Sequence, residues 1–203
     1  MEHLILQKSA DMFLSKGFKS VTMDDIAAEM AISKKTIYQY FSSKPELIET
    51  TIGFIQNQVI KELYAIITKD YDAITELIVA HRHLDEIFKI KNSSAVYQLH
   101  KYYPKIAQKI KLLQLQEFEN IIKENLRKGV REKLYRKDLN IDYQARFYFA
   151  SSIILDDIEY FPENEFDCNQ IHQMHLEYHL RSISTPEGIT KLQDLINNKR
   201  NNE

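Results

Sequence analysis

The residues from Ser33 to Lys44 include three lysines and no acid. Lys34, Lys35 and Lys44 alternate with Thr36, Tyr38, Gln39 and Tyr40. Ammonium, hydroxyl and carboxamide groups in such a run hydrogen-bond phosphates and base edges. The chemistry on offer is recognition of a polyanion. A second constellation is His172, His175 and His179, spaced i, i+3 and i+7. On a helix that spacing lines three imidazoles along one face, and His175 with His179 has the i, i+4 geometry of many zinc ligands. Asp156, Asp157 and Glu159 could add carboxylates, and Cys168 lies one turn earlier. No glutamate completes a zincin motif, so the row supports only an alternative function, a metal-dependent helical sensor or enzyme. A partly solvated polar seam is the plainer reading. His81 and His83 read as surface residues on different faces of a helix. No cofactor and no metal site is expected.

The lysine-bearing run needs elements that hold it rigid. Thr22 and Ser33 stand where N-caps are needed, each before an apolar-periodic segment. Ile26, Met30, Ile32, Ile37 and Tyr40 supply contacts for two helices crossing steeply, and Ala27 is small where the backbones approach. The pattern predicts a helix-turn-helix. Ahead of it, Ile5, Leu6, Ser9, Met12 and Phe13 form a stripe of period 3.6, ended by Gly17. Behind it, Ser43-Lys-Pro-Glu46 reads as a capping box. The box opens a helix with Leu47, Ile48, Ile52, Ile55, Val59 and Leu63 on one side. Further helices are expected near 72–90, 93–102, 104–128, 142–161, 168–184 and 187–199. The stretch 66–71 fits either helix or loop. Gly129, Pro162 and Pro186-Glu-Gly188 read as breaks, and the apolar-free tail from Asn197 should fray.

Only four glycines and four prolines punctuate 203 residues, so the fold class is all-α. The expected organisation is a three-helix, homeodomain-like helix-turn-helix domain over 1–46 and a helical bundle over 47–203. Net charge is -2, so any nucleic-acid affinity comes from a local patch and not from a basic coat. One cysteine cannot form an internal disulfide and suits a reducing compartment. No segment approaches 18 uninterrupted apolar residues, and no cationic region precedes an apolar run at the N-terminus. The expectation is a cytoplasmic protein without a membrane partner, and no enzyme motif such as a nucleophile elbow or phosphate loop is present.

The run of Ile5-Leu6, Met12-Phe13, Lys16-Gly17-Phe18, Thr22, Ile26-Ala27, Ser33, Thr36-Ile37-Tyr38, Tyr40-Phe41, Lys44 and Leu47 resembles the tetracycline-repressor (TetR) family of bacterial regulators. The resemblance covers about the first quarter of the chain. One departure is Ala31, at a turn position often held by glycine; a positive φ there would cost roughly 1 kcal/mol. The resemblance implies a ligand-responsive DNA-binding regulator, a repressor released from its operator by an unknown small-molecule effector. It implies that Lys34, Lys35 and Gln39 meet base edges, while Thr22, Thr36, Tyr38, Tyr40 and Lys44 fix phosphates. It implies an effector pocket in the C-terminal body, for which Tyr97, His100, Tyr103, Phe118 and Phe147 are the candidates. It implies a homodimer through helices 142–161 and 168–184, with Ala150, Ser151, Ile154, Ile158, His175 and His179 at the interface. A two-fold dimer suits double-stranded DNA with a near-palindromic operator.

Overall fold

The computed structural model describes residues 1–89, 93–155, 159–162 and 164–200. Among them the chain forms ten helices and no strand, with an isolated bridge between Tyr135 and Ser184. The helices are α1 (Glu2–Lys16), α2 (Met23–Glu29), α3 (Lys34–Tyr38), α4 (Lys44–Ile67), α5 (Ala73–Lys89), α6 (Ser93–Tyr102), α7 (Pro104–Arg131), α8 (Ile141–Leu155), α9 (Cys168–Ile183) and α10 (Pro186–Arg200). Stretch 66–71 divides: α4 runs to Ile67 and a turn follows. α10 extends into the apolar-free tail as far as Arg200, and residues 201–203 lie outside the described residues. The described part of α8 reaches Leu155, and Glu159 and Tyr160 lie in a turn, so the helix does not run to the expected 161.

Two compact units form. The first comprises Met1–Glu62 and Glu86–Gln114, the second Leu63–Asp85 and Leu115–Glu203. The unit around the helix-turn-helix therefore extends well past the expected boundary at 46. Its core joins Ile5, Phe13, Ile26, Ile37, Phe41 and Leu47 to Ala95, Leu99, Ala107 and Ile110. Phe13 stacks on Phe18 with ring centroids 5.2 Å apart. Gly17 ends α1 at φ 90, a backbone conformation that strains any residue with a Cβ, and a Cβ there would also push aside the end of the Gln98 side chain.

The second core centres on Ile74, Leu126, Tyr135, Leu180, Ile183 and Leu192. Gly129 does not break α7, which runs through it to Arg131. A Cβ at Gly129 would lie 2.0 Å from the Tyr135 ring, so the glycine is a seat for that ring. The Tyr135 hydroxyl donates to Asn125 Oδ1 at 3.1 Å, and Asn125 Nδ2 donates to Glu76 Oε1 at 2.8 Å and the Ala73 carbonyl at 2.9 Å. Lys128 Nζ completes the network 2.6 Å from Glu76 Oε2. Glu76 is only 2% exposed, and a buried carboxylate is tolerable only when paired this fully.

Candidate nucleic-acid interface

α2 begins with a reciprocal capping box. Thr22 Oγ1 accepts from the Asp25 N–H at 3.1 Å, while Asp25 Oδ2 accepts from the Thr22 N–H at 2.8 Å and its hydroxyl at 2.7 Å. These bonds hold the Asp25 carboxyl below the usual carboxylate range. The Thr22 hydroxyl thus has a structural task as well as a surface position. α2 ends in a Schellman motif. The Ile32 N–H reaches the Ala27 carbonyl at 3.0 Å and the Ala31 N–H reaches that of Ala28 at 3.1 Å. Ala31 takes φ 53 to make the turn. An alanine here occupies the left-handed position that favours glycine.

Ser33 then caps α3, accepting from the Thr36 N–H at 3.0 Å. α3 is short: its α-helical residues are Lys34–Tyr38, with Gln39 as C-cap. The bonds from the Tyr40 and Phe41 N–H groups to the Ile37 carbonyl carry the winding to Phe41. Ile37 is fully buried and anchors the helix, so its neighbours face solvent. Lys34, Lys35, Tyr38, Gln39 and Tyr40 are exposed and Thr36 is half-buried. Tyr40 is 42% exposed, so it does not belong to the apolar contact set expected for it.

The two helices are also tied by charge. Lys34 Nζ lies 2.6 Å from Asp24 Oδ2, and this hydrogen bond raises the Lys34 ammonium above its ordinary range. Both partners are largely solvated, so the pair contributes little to stability and releases readily.

The capping box expected at α4 is shifted. The Glu46 N–H does donate to Ser43 Oγ, at 3.3 Å, but Glu46 Oε2 accepts from Ser42, whose N–H lies at 2.7 Å. Lys44 is half-buried. Its ammonium donates to the Lys19 carbonyl at 2.9 Å and sits 5.9 Å from the Tyr103 ring centroid. Loss of solvent lowers its pKa. Lys44 therefore braces the α1–α2 connection. Lys19, absent from the expected set, carries its own ammonium to the Tyr102 hydroxyl at 3.1 Å. Its position after Gly17-Phe18 gave no sign that it would adjoin Lys44.

The remaining expectations divide between the units. Tyr97, His100 and Tyr103 belong to the first unit, Phe118 and Phe147 to the second. Tyr97 is exposed and accepts from Lys101 Nζ at 3.0 Å, His100 is exposed, and Tyr103 lies against the first core. Phe118 stacks on Phe149 at 5.9 Å, whereas Phe147 is 63% exposed. On α8 an outer face holds Phe147, Ala150 and Ile154; α9 exposes Met174 and Tyr178. Three residues expected at an interface also make contacts within the chain. Ser151 Oγ lies 2.7 Å from His175 Nε2, and His175 stacks on Tyr148 at 4.9 Å. His179 is 3% exposed, stacks on Tyr148 at 4.0 Å and has Nδ1 3.4 Å from Gln144 Nε2. Ile158, Asp156 and Asp157 lie outside the described residues.

Among the described residues the donor atoms of His172, His175 and His179 do not converge as a metal-holding group, and His175 and His179 contact Ser151, Gln144 and Tyr148. His172 instead joins His81 and Asp85. Nor is His81 a surface residue: its side chain is 11% exposed and Nδ1 lies 3.3 Å from Asp85 Oδ2.

Residues 5–51 match the model of the bacterial regulatory proteins of the tetR family. Residues 5–51 are a TetR-family DNA-binding domain. The chain is 39% identical over 67 residues to the uncharacterized HTH-type transcriptional regulator YvaF of Bacillus subtilis, a match covering 32% of this chain and 35% of that protein. It is 24% identical to the HTH-type transcriptional repressor KstR2 of Mycolicibacterium smegmatis across 91% of both chains. The fold matches a transcriptional regulator from Cytophaga hutchinsonii, with a TM-score of 0.77, 21% identity and coverage of 90% of this chain and 98% of that one. TetR-family relatives are DNA-binding transcription regulators, and this chain is a regulator and not an enzyme.

Proposed function

We propose that this regulator is a ligand-responsive repressor that binds a near-palindromic operator as a homodimer in the cytoplasm. The observation that carries the reading is α3. A buried Ile37 holds a doubly capped helix so that Lys34, Lys35, Tyr38, Gln39 and Tyr40 face outward together. Lys34, Lys35 and Gln39 meet base edges in the major groove, with Thr36, Tyr38 and Tyr40 on phosphates. Thr22 and Lys44 act at the two flanking helix starts, where N–H groups favour an anion. Lys44 also holds the Lys19 carbonyl, so its contribution is both positional and electrostatic.

The outer face of Phe147, Ala150 and Ile154, with Met174 and Tyr178, supports pairing of two copies through α8 and α9. Exposed aromatic and aliphatic side chains at helical spacing gain most when covered by a partner. The name of the KstR2 relative, a transcriptional repressor, supports repression. Effector binding in the helical body would then favour a state whose two α3 helices no longer match successive grooves. Among the described residues no helix is long and apolar enough to cross a membrane. A gel shift on DNA upstream of the protein's own gene tests the reading. Binding that Lys34→Ala weakens supports it; equal binding to unrelated duplexes at all salt concentrations refutes it.

A further inference from the structure

We infer that the second unit binds a divalent transition-metal ion between α5 and α9 through His81, Asp85 and His172. One donor atom from each of the three lies within 4.8 Å of the other two. His81 and Asp85 stand i, i+4 on α5, and their donors are 3.3 Å apart. Two ligands about 2.0–2.1 Å from a tetrahedral ion are separated by about 3.4 Å, so this edge already has the dimension of a coordination polyhedron. His172 supplies the third donor from α9, with its ring centroid 6.2 Å from that of His81, and the other two edges, no longer than 4.8 Å, must close to about 3.4 Å around a bound ion. The side chains of His81 and Asp85 are 11% and 17% exposed. That is shielded enough to exclude most competing water and open enough to admit an ion.

Two imidazoles and one carboxylate suit Zn(II), Co(II) or Ni(II) better than the all-oxygen preferences of magnesium or calcium. Three protein ligands leave at least one position for water or a small anionic ligand. His175 is not among the residues whose donor atoms converge there. Both α5 and α9 belong to the second unit, so an ion joining them fixes their spacing. That the ion acts as an effector rests on the regulator reading; that it binds does not.

The test uses purified full-length protein freed of metal by chelation and then titrated with Co(II) and Zn(II). The expected result is one ion per chain, a tetrahedral or five-coordinate Co(II) visible spectrum, and a dissociation constant below about 10 µM. His172→Ala and Asp85→Asn should each weaken binding by about 100-fold or more, because removing a ligand exceeds the 10–100-fold cost of disturbing its support. His83→Ala should bind like the wild type. Asp85→Asn keeps the side-chain volume, so it reads the site even if His172→Ala unfolds. No binding at 100 µM metal, or equal binding by wild type, Asp85→Asn and His172→Ala, would overturn the site. In a parallel gel shift, an operator affinity changed at least fivefold by Zn(II) supports the effector role, and an unchanged affinity overturns that role alone. Absence of any DNA binding, with metal bound, would count against the regulator reading and leave the metal site standing.

Discussion

Replacing Ala31 by glycine should stabilise the protein. Ala31 is the C′ residue of the Schellman motif closing α2, at φ 53. A left-handed conformation costs a residue with a Cβ roughly 1–2 kcal/mol. Glycine avoids that cost but loses about 0.4–1 kcal/mol through its freer unfolded chain. Ala31 is exposed, so no burial is lost and both turn hydrogen bonds remain. The net gain is about 0.5–1 kcal/mol, which for a chain of this size raises the thermal midpoint by about 1–4 °C. Thermal unfolding followed by circular dichroism measures it, with Ala28→Gly as the opposite case. Ala28 lies inside α2, where glycine costs about 1 kcal/mol. If both substitutions lower the midpoint alike, the turn is not left-handed and the motif assigned to it is wrong.

Asp24→Asn removes the carboxylate that holds Lys34, so operator affinity should rise severalfold at low salt; an unchanged affinity by fluorescence anisotropy would show that Lys34 is not a DNA contact. Ile154→Glu should give monomers in light scattering and weaken operator binding with it, and a dimeric variant would remove the α8–α9 interface. Asn125→Leu leaves Glu76 and the Tyr135 hydroxyl short of partners in the second core, and should cost about 2–4 kcal/mol in denaturant unfolding. Burial pushes the His179 imidazole down to about 3. The unfolded chain then binds the extra proton below about pH 6.5, so stability is present at neutral pH and falls as pH drops, by about 2 kcal/mol between pH 7 and pH 5. His179→Leu should remove that part of the slope in urea titrations at the two pH values, leaving the part due to His175, which burial lowers to about 4; an unaltered slope would assign it elsewhere.

The sequence was most legible where a residue type has one local job. Thr22 and Ser33 cap the helices expected of them, Gly17 and Pro104 mark helix ends, and the lysine-rich run emerges on a surface helix. Ala31 showed in advance that its turn would be strained. Legibility failed where a residue's role depends on a distant partner. Gly129 looked like a break because nothing nearby announced the Tyr135 ring that fills its place. His81 looked like a surface histidine because its neighbour His172 comes from another helix far along the chain. His175 and His179 carry the periodicity of a row, yet Tyr148 and Ser151 decide which way they face. The far members of the first core were hidden for the same reason: α6 and the start of α7 complete it through Ala95, Leu99, Ala107 and Ile110.

The central claim is that α3 reads DNA from a two-fold dimer. Selection of bound duplexes from a random-sequence library tests it most directly, followed by salt titration of the winning site. The account predicts a near-palindrome whose half-sites lie about one helical turn apart, or a multiple of that. It also predicts that Lys34→Ala relaxes preference at one position in each half-site, at about 1–3 kcal/mol per contact. For Lys44→Ala the account predicts weaker binding to every sequence alike, with a salt slope reduced by roughly 2. A library that yields no enriched sequence, or a site bound equally by wild type and Lys34→Ala, would contradict it.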